Sequence, residues 1–250
     1  MTINLSNKTA LVTGAGRGIG EAAARKLAEY GANVVLSARS LEKVEAIAAE
    51  IGEQAIAVQC DVTRFKDVEN AVHAAQNHFG GLDILVNNAG TIEPISRLES
   101  SDPEQWSQVV DINLKGVYYG LRAAYPAMKK DGGVIINISS GAATSALEGW
   151  SHYCATKAAV LSLTRCAHKE WNDLGIHVVG LSPGTVATDM QVAIKDSDIN
   201  PVSQLDWSTH ISPQWVGKAI AWLATDAGRE YDGTDFSLKT KEGLKAVGLI

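Results

Sequence analysis

The chain has 250 residues, 46% of them hydrophobic, and a formal net charge of −6 from 22 basic and 28 acidic residues. That size supports a substantial core, while a mildly acidic balance without a basic run argues against nucleic acid or an anionic membrane as the main partner. No run nears ~18 apolar residues, the opening MTINLSNKTALVTGA lacks a secretory pattern, and Cys60, Cys154 and Cys166 form no CxxC pair, so a cytoplasmic protein without a metal site is expected.

Residues 8–13 read as a first strand, and GAGRGIG leads from it into the helix EAAARKLAEY, closed by Gly31. NVVLSAR and LEKVEAIAAEI form a second strand and helix, QAIAVQCDV and DVENAVHAAQNHF a third pair. LDILVNNAG is a fourth strand, and two helical stretches fill about 102–130. GGVIINI is a fifth strand, followed by a helix from about 153. GIHVVGLSPG, PQWVGKAIAWLAT and TDFSL give a sixth strand, a late helix and a last strand. This alternation predicts an α/β fold, one doubly wound parallel sheet over 1–250 with helices on both faces. Two polar loops, about 91–101 and 185–211, are expected to be binding loops.

The segment 139–157 follows the fifth strand and holds the chemistry. Ser139 and Ser140 end the strand. Tyr153 and Lys157, four apart, share one face of the next helix near its start. A phenol and an ammonium at the carboxyl edge of such a sheet can give a proton to a carbonyl. The lysine is expected to lower the Tyr153 pKa from its usual ~10. Ser140 is placed to hold the carbonyl oxygen.

The turn TGAGRGIG joins the first strand to the first helix. Gly14, Gly16 and Gly20 let the backbone turn tightly and approach a pyrophosphate at the helix N-terminus. The second strand ends in Ser37, Ala38 and Arg39, with no carboxylate for the ribose hydroxyls. Arg39, Arg17 in the glycine turn and a donor on Ser37 suit a 2′-phosphate, which favours NADP(H) over NAD(H).

With these pieces together, the whole chain resembles the short-chain dehydrogenase/reductase family. TGAGRGIG is similar to its TGxxxGxG motif, NNAG (Asn87 to Gly90) to its fourth-strand motif, and YCATK to its YxxxK pair. The resemblance implies a Rossmann fold and a catalytic set of Asn113, Ser140, Tyr153 and Lys157. It implies cofactor contacts from Gly14, Gly16, Arg17, Gly18, Ile19, Gly20, Ser37, Arg39, Asp61, Val62, Asn88, Ala89, Gly90, Tyr153 and Lys157. The segment PGTVATDM adds Pro183, Gly184, Val186 and Thr188. In the implied reaction a hydride moves between nicotinamide and a carbonyl carbon while Tyr153 serves the oxygen as acid or base. Asn113 would hold a relay water, and Lys157 would bind the nicotinamide ribose.

Ala142, Trp150 and Thr185 are the expected substrate contacts, with Ala143, Leu147 and His152 nearby. Trp150 reads equally as core or platform, and His152 as a solvated helix cap. A small ketone or aldehyde is the expected substrate. Within the family, 3-oxoacyl-carrier-protein reductases and sepiapterin or benzil reductases are the alternatives. Asp235 falls near a pterin-binding aspartate of the sepiapterin group. A nicotinamide sensor without turnover and a sugar-nucleotide epimerase are the readings from other classes. Apolar residues on two faces of the helices around Val117, Tyr118, Leu121, Val160, Leu161 and Leu163 predict a homodimer or homotetramer.

Overall fold

Continuous runs of Val, Ile, Leu and Ala, too short for helices and buried on both sides, become the strands of a parallel sheet. In the computed structural model, which describes residues 3–250, these are β1 (Thr9–Thr13), β2 (Asn33–Ala38), β3 (Ala55–Gln59), β4 (Ile84–Asn87), β5 (Gly133–Ile138), β6 (Ile176–Ser182) and β7 (Asp235–Ser237). They form one seven-stranded parallel sheet in the order β3-β2-β1-β4-β5-β6-β7. The order reverses between β1 and β4. Beyond the carboxyl ends of the strands, that switch point opens the crevice in which such sheets bind ligands.

Helices cover both faces. The helices α1 (Gly18–Glu29) and α2 (Leu41–Ile51) lie on one face, with a core built on Ala23, Leu27, Val44, Val12, Leu36 and Ile220. On the other face α3 (Phe65–Phe79) packs with Val68, Val72, Leu85, Leu121 and Val160. The two stretches expected over 102–130 form one continuous path: α4 (Pro103–Val110), a π-helical turn at Asp111–Lys115, and α5 (Gly116–Met128). The wider turn was invisible in the sequence because its residues keep an ordinary helical pattern. Next come α6 (Ser151–Trp171), α7 (Asp189–Ser197), α8 (Pro213–Leu223) and α9 (Lys241–Ala246).

Two expectations change. The polar segment 185–211 is not loop throughout: it carries α7 and two 3₁₀ turns, with Val186 bridged to Ile211. The outer faces of α5 and α6 are less apolar than the pattern suggested. Val117, Leu121, Val160 and Leu161 are buried within the chain, and of the six residues Tyr118 alone is exposed, at 49%. Among the described residues, no helix is long and apolar enough to cross a membrane.

Candidate active site

The glycine turn is fixed from the β4 side. Thr13 Oγ1 accepts from the backbone N–H groups of Asn88 (3.0 Å) and Ala89 (3.1 Å). The Asn88 amide donates to the carbonyls of Thr13 (2.8 Å) and Gly14 (3.1 Å). Asn88 thus shapes the turn from behind, and its donors are spent on protein. Thr13 was missed as a site residue, although it opens the motif at the strand's end.

The glycines do different work. Gly14 (φ +64°) and Gly18 (φ +58°) adopt the left-handed backbone that favours glycine. A Cβ on Gly20 would sit 2.3 Å from the Gly14 carbonyl oxygen, so a side chain there is excluded. At Gly16 a Cβ would meet nothing closer than Lys43 Cβ at 3.5 Å, ordinary contact, so the fold makes no demand for glycine there. This corrects the reading of Gly16 as a turn requirement. Arg17 at the N-cap of α1 gives no side-chain cap, and Ile19 is half-buried in the first turn. The first amides of a helix have no intrahelical acceptor, and here they face the sheet edge at the glycine turn.

At the end of β2 the sequence reading needs a second correction. Ser37 is fully buried, and its hydroxyl donates to the Val12 carbonyl at 3.2 Å, so it is not free for a 2′-phosphate. Arg39 is exposed. Arg17 is exposed too and reaches Asp189 at 2.7 Å, a surface pair of the kind that holds little energy and yields readily to a stronger anion. Lys43, unremarked in the sequence, lies against Gly16 and adds a third cation. Asp61 accepts from the N–H and hydroxyl of Thr63 (3.0 and 2.8 Å), while Val62 is buried against Gly116. On the far side of the groove, Gly184 and half-buried Thr185 follow Pro183 at the end of β6. Val186 is buried, and Thr188 closes to Gly18, where a Cβ would come within 3.3 Å of Thr188 Cγ2. The glycine turn and the segment after β6 therefore face each other.

Asn113 lies in the π-turn, fully buried. Its Oδ1 accepts from Thr91 N–H and its Nδ2 donates to the Thr91 carbonyl, both at 2.8 Å, with Thr156 Oγ1 at 3.4 Å. The side-chain amide is thus consumed in clamping the start of the 91–101 loop. Gly90 leaves room for this clamp, since a Cβ there would be 3.3 Å from Asn113 Oδ1.

Tyr153 and Lys157 share a face of α6 and are 8% and 4% exposed. The Lys157 Nζ stands 5.5 Å from the centroid of the Tyr153 ring and donates to the Ile138 carbonyl at 2.6 Å. The ammonium is therefore aimed at β5 backbone. Burial pushes the Tyr153 phenol up to about 12, with hydrogen bonding from Ser140 pulling against it. The expected lowering by Lys157 is absent: burial sets the direction, and the ammonium is held against the Ile138 carbonyl. Burial also draws Lys157 down to about 8, while the Asp235 carboxylate works to raise it. Ser140 opens the 3₁₀ turn Gly141–Ala143, accepting from Ala142 N–H at 3.2 Å. Neighbouring Ser139 is 2% exposed and donates to Asp235 Oδ2 at 3.1 Å, turned away from Tyr153.

Around the phenol, Ile92, Ala142, Trp150 and Ile194 form an apolar cluster with Tyr153, with Leu147 and Cys154 packed at its border. Trp150 is 5% exposed and meets the Tyr153 ring edge to face, centroids 5.8 Å apart. It is a wall behind the phenol more than an open platform. His152 is 1% exposed, with Nε2 2.6 Å from the Pro94 carbonyl, so it anchors the 91–101 loop instead of capping the helix in solvent. A cleft of about 680 Å³ lies between that loop and α7, lined by Glu93, Pro94, Ile95, Asp189, Val192 and Ala193.

A glycine turn, a cation-lined β2 end and a buried Tyr–Lys pair on one sheet edge mark a dinucleotide-binding α/β protein. The short chain dehydrogenase family model matches residues 8–198. An uncharacterized oxidoreductase of Staphylococcus saprophyticus is 37% identical over 227 residues, covering 89% of this chain and 92% of that protein. A short-chain type dehydrogenase/reductase from Mycobacterium marinum superposes with a TM-score of 0.86 at 30% identity, over 94% of this chain and 95% of that one. A 3-ketoacyl-(acyl-carrier-protein) reductase from Brucella melitensis, solved with NADH, gives 0.85 at 33% identity, over 94% and 98%. This chain belongs to the short-chain dehydrogenase family, oxidoreductases that use a nicotinamide cofactor.

Proposed function

We propose that this protein is an NADP(H)-dependent reductase of a small, neutral ketone or aldehyde, with Tyr153 as the acid. The observation that carries the reading is the Tyr153–Lys157 pair, buried together beside Ser140 at the carboxyl edge of the central strands. A bound nicotinamide would supply the hydride. Ser140 would hold the carbonyl oxygen, and the Tyr153 phenol would give it a proton. Lys157 would bind the nicotinamide ribose and hold positive charge near the phenol as it becomes anionic.

A phenol held near 12 is protonated at neutral pH, the state an acid needs. Reduction is thus served at neutral pH, and alcohol oxidation, which needs the phenolate, rises toward alkaline pH. Three carboxylates, Glu93, Asp189 and Asp196, line the cleft between the 91–101 loop and α7, and a neutral substrate would meet less repulsion there than a phosphate-bearing acyl carrier. Initial rates with NADPH over a panel of ketones, diketones, acetoacetyl thioesters and pterins test the reading. Cofactor binding without turnover of any of them, in either direction, would give the sensor reading its place.

Cofactor preference rests on three exposed cations, Arg17, Arg39 and Lys43, with no carboxylate at the end of β2. Arg39→Glu is expected to weaken NADPH binding by about tenfold or more and to improve NADH relative to it, since one charge-assisted contact is worth ~1.5–3 kcal/mol. Ser37→Ala, with its hydroxyl turned inward, is expected to leave the NADPH/NADH ratio unchanged. Equal affinities of the native protein for both cofactors would sink the preference. Membership of this family favours a homodimer or homotetramer, with exposed Tyr118 on α5 as one candidate contact.

A further inference from the structure

Behind the Tyr153–Lys157 pair lies a carboxylate that the mechanism above does not use. Asp235 begins β7 and pairs with Gly180 of β6. Its carboxylate lies over that glycine, where a Cβ would sit 2.7 Å from Oδ1, so only glycine leaves room for it. Oδ2 takes a hydrogen bond from Ser139 at 3.1 Å, and Oδ1 is buried with no donor among the described residues. One residue along β5 from Ser139, the Ile138 carbonyl receives Lys157. Lysine and carboxylate therefore meet the same end of β5 at adjacent residues, from α6 and from β7. An acceptor oxygen left unpaired in a buried place costs free energy, and a neighbouring ammonium offsets that cost.

We propose that Asp235 is a positioning residue for the reaction, the fixed counter-charge that keeps the Lys157 ammonium protonated behind Tyr153, with Ser139 holding the carboxylate in place. This rests on the reading of Tyr153 and Lys157 as the acid and its cationic neighbour. The inward turn of the carboxylate also counts against a pterin contact. The other charged group facing Asp235 is Arg165, also on α6. Facing Lys157 are the Tyr153 ring from its own helix, the Ile138 carbonyl from β5 and Asp235 from β7. A further titratable cluster, His168, His177 and Asp232, pairs His177 with Asp232. The electrostatics agree with the geometry: Asp235 acts to raise Lys157, and Ser139 and Lys157 act to lower Asp235, which burial pushes up to about 6.

The sign is fixed. Removing the carboxylate lowers the proton affinity of Lys157, so its titration moves to lower pH. In full-length protein carrying isotope-labelled lysine Cε, with Lys157→Arg to assign the resonance, Asp235→Asn is expected to lower the Lys157 midpoint by about one pH unit. In turnover, the alkaline limb of the kcat profile moves the same way. An unmoved midpoint overturns the proposal, as does a drop in kcat that is uniform across pH. Should Asp235→Asn not fold, Asp235→Ser, smaller and likewise uncharged, is read by the same titration; the same downward shift is expected, and no shift overturns the proposal. The NMR titration needs no substrate. A failure of the reductase reading would show instead as native protein without turnover.

Discussion

Tyr153→Phe is expected to lower kcat for carbonyl reduction by about a thousandfold, within the ~10²–10⁴ that a positioned acid contributes. Cofactor affinity should change by no more than about fivefold, because the substitution keeps the ring and the lysine, and one lost hydrogen bond is worth only ~1 kcal/mol. The ring holds the local packing: it meets Trp150 edge to face and lies among Ile92, Ala142 and Ile194. Phenylalanine fills the same space, so thermal stability should move little. What disappears is the proton. Lys157 is directed at the Ile138 carbonyl and is not placed to take over as acid. The measurement is steady-state NADPH oxidation with the best carbonyl substrate, beside a cofactor titration and a thermal melt. Turnover within about tenfold of the native protein would move the acid elsewhere, with a water or Ser140 the next candidates.

How much of this was legible before the fold was known depends on what each residue's neighbours are. The seven strands were, because parallel strands covered on both faces write themselves as unbroken apolar runs such as GVIINI and TALVT. The chain positions of Ser140, Tyr153 and Lys157 followed from strand, turn and helix alone. Directions within β2 did not. Both its faces are apolar, so polarity gave no hint that the Ser37 hydroxyl turns inward to the Val12 carbonyl. Nor did the local sequence carry the environment of Tyr153. Its burial comes in part from Ile92 and Ile194, each about 40 or more residues away, and burial reverses the pKa direction expected from Lys157. The polar composition of 185–211 hid α7, whose two buried residues, Gln191 and Ile194, are too few to show a helical stripe. Asp235 was visible as a residue, but not its direction, since that depends on Gly180 of the neighbouring strand.

The second large effect is predicted in the glycine turn, and it separates two glycines that look alike in sequence. Gly20→Ala is expected to destabilise the fold by ~1–3 kcal/mol, the usual cost of forcing a group into a packed site, and to abolish measurable cofactor binding. The added methyl would stand 2.3 Å from the Gly14 carbonyl oxygen and 2.6 Å from Asn88 Nδ2. Both are fixed: Asn88 is the clamp that holds Thr13 and Gly14. Relief therefore requires α1 to move off the turn, taking its first-turn amides out of reach of a phosphate. Gly16→Ala puts its methyl 3.5 Å from Lys43 Cβ and 3.6 Å from Ala38 Cβ, both ordinary contacts, at a backbone angle open to any residue. Its melting temperature should match the native protein, and its NADPH affinity should stay within about threefold, since an added methyl without overlap costs well under 1 kcal/mol. Thermal melts and fluorescence titration with NADPH on both variants check the pair. If Gly16→Ala proved as damaging as Gly20→Ala, the pyrophosphate would approach the backbone at residue 16, and the turn would be read by its ligand more than by its own packing.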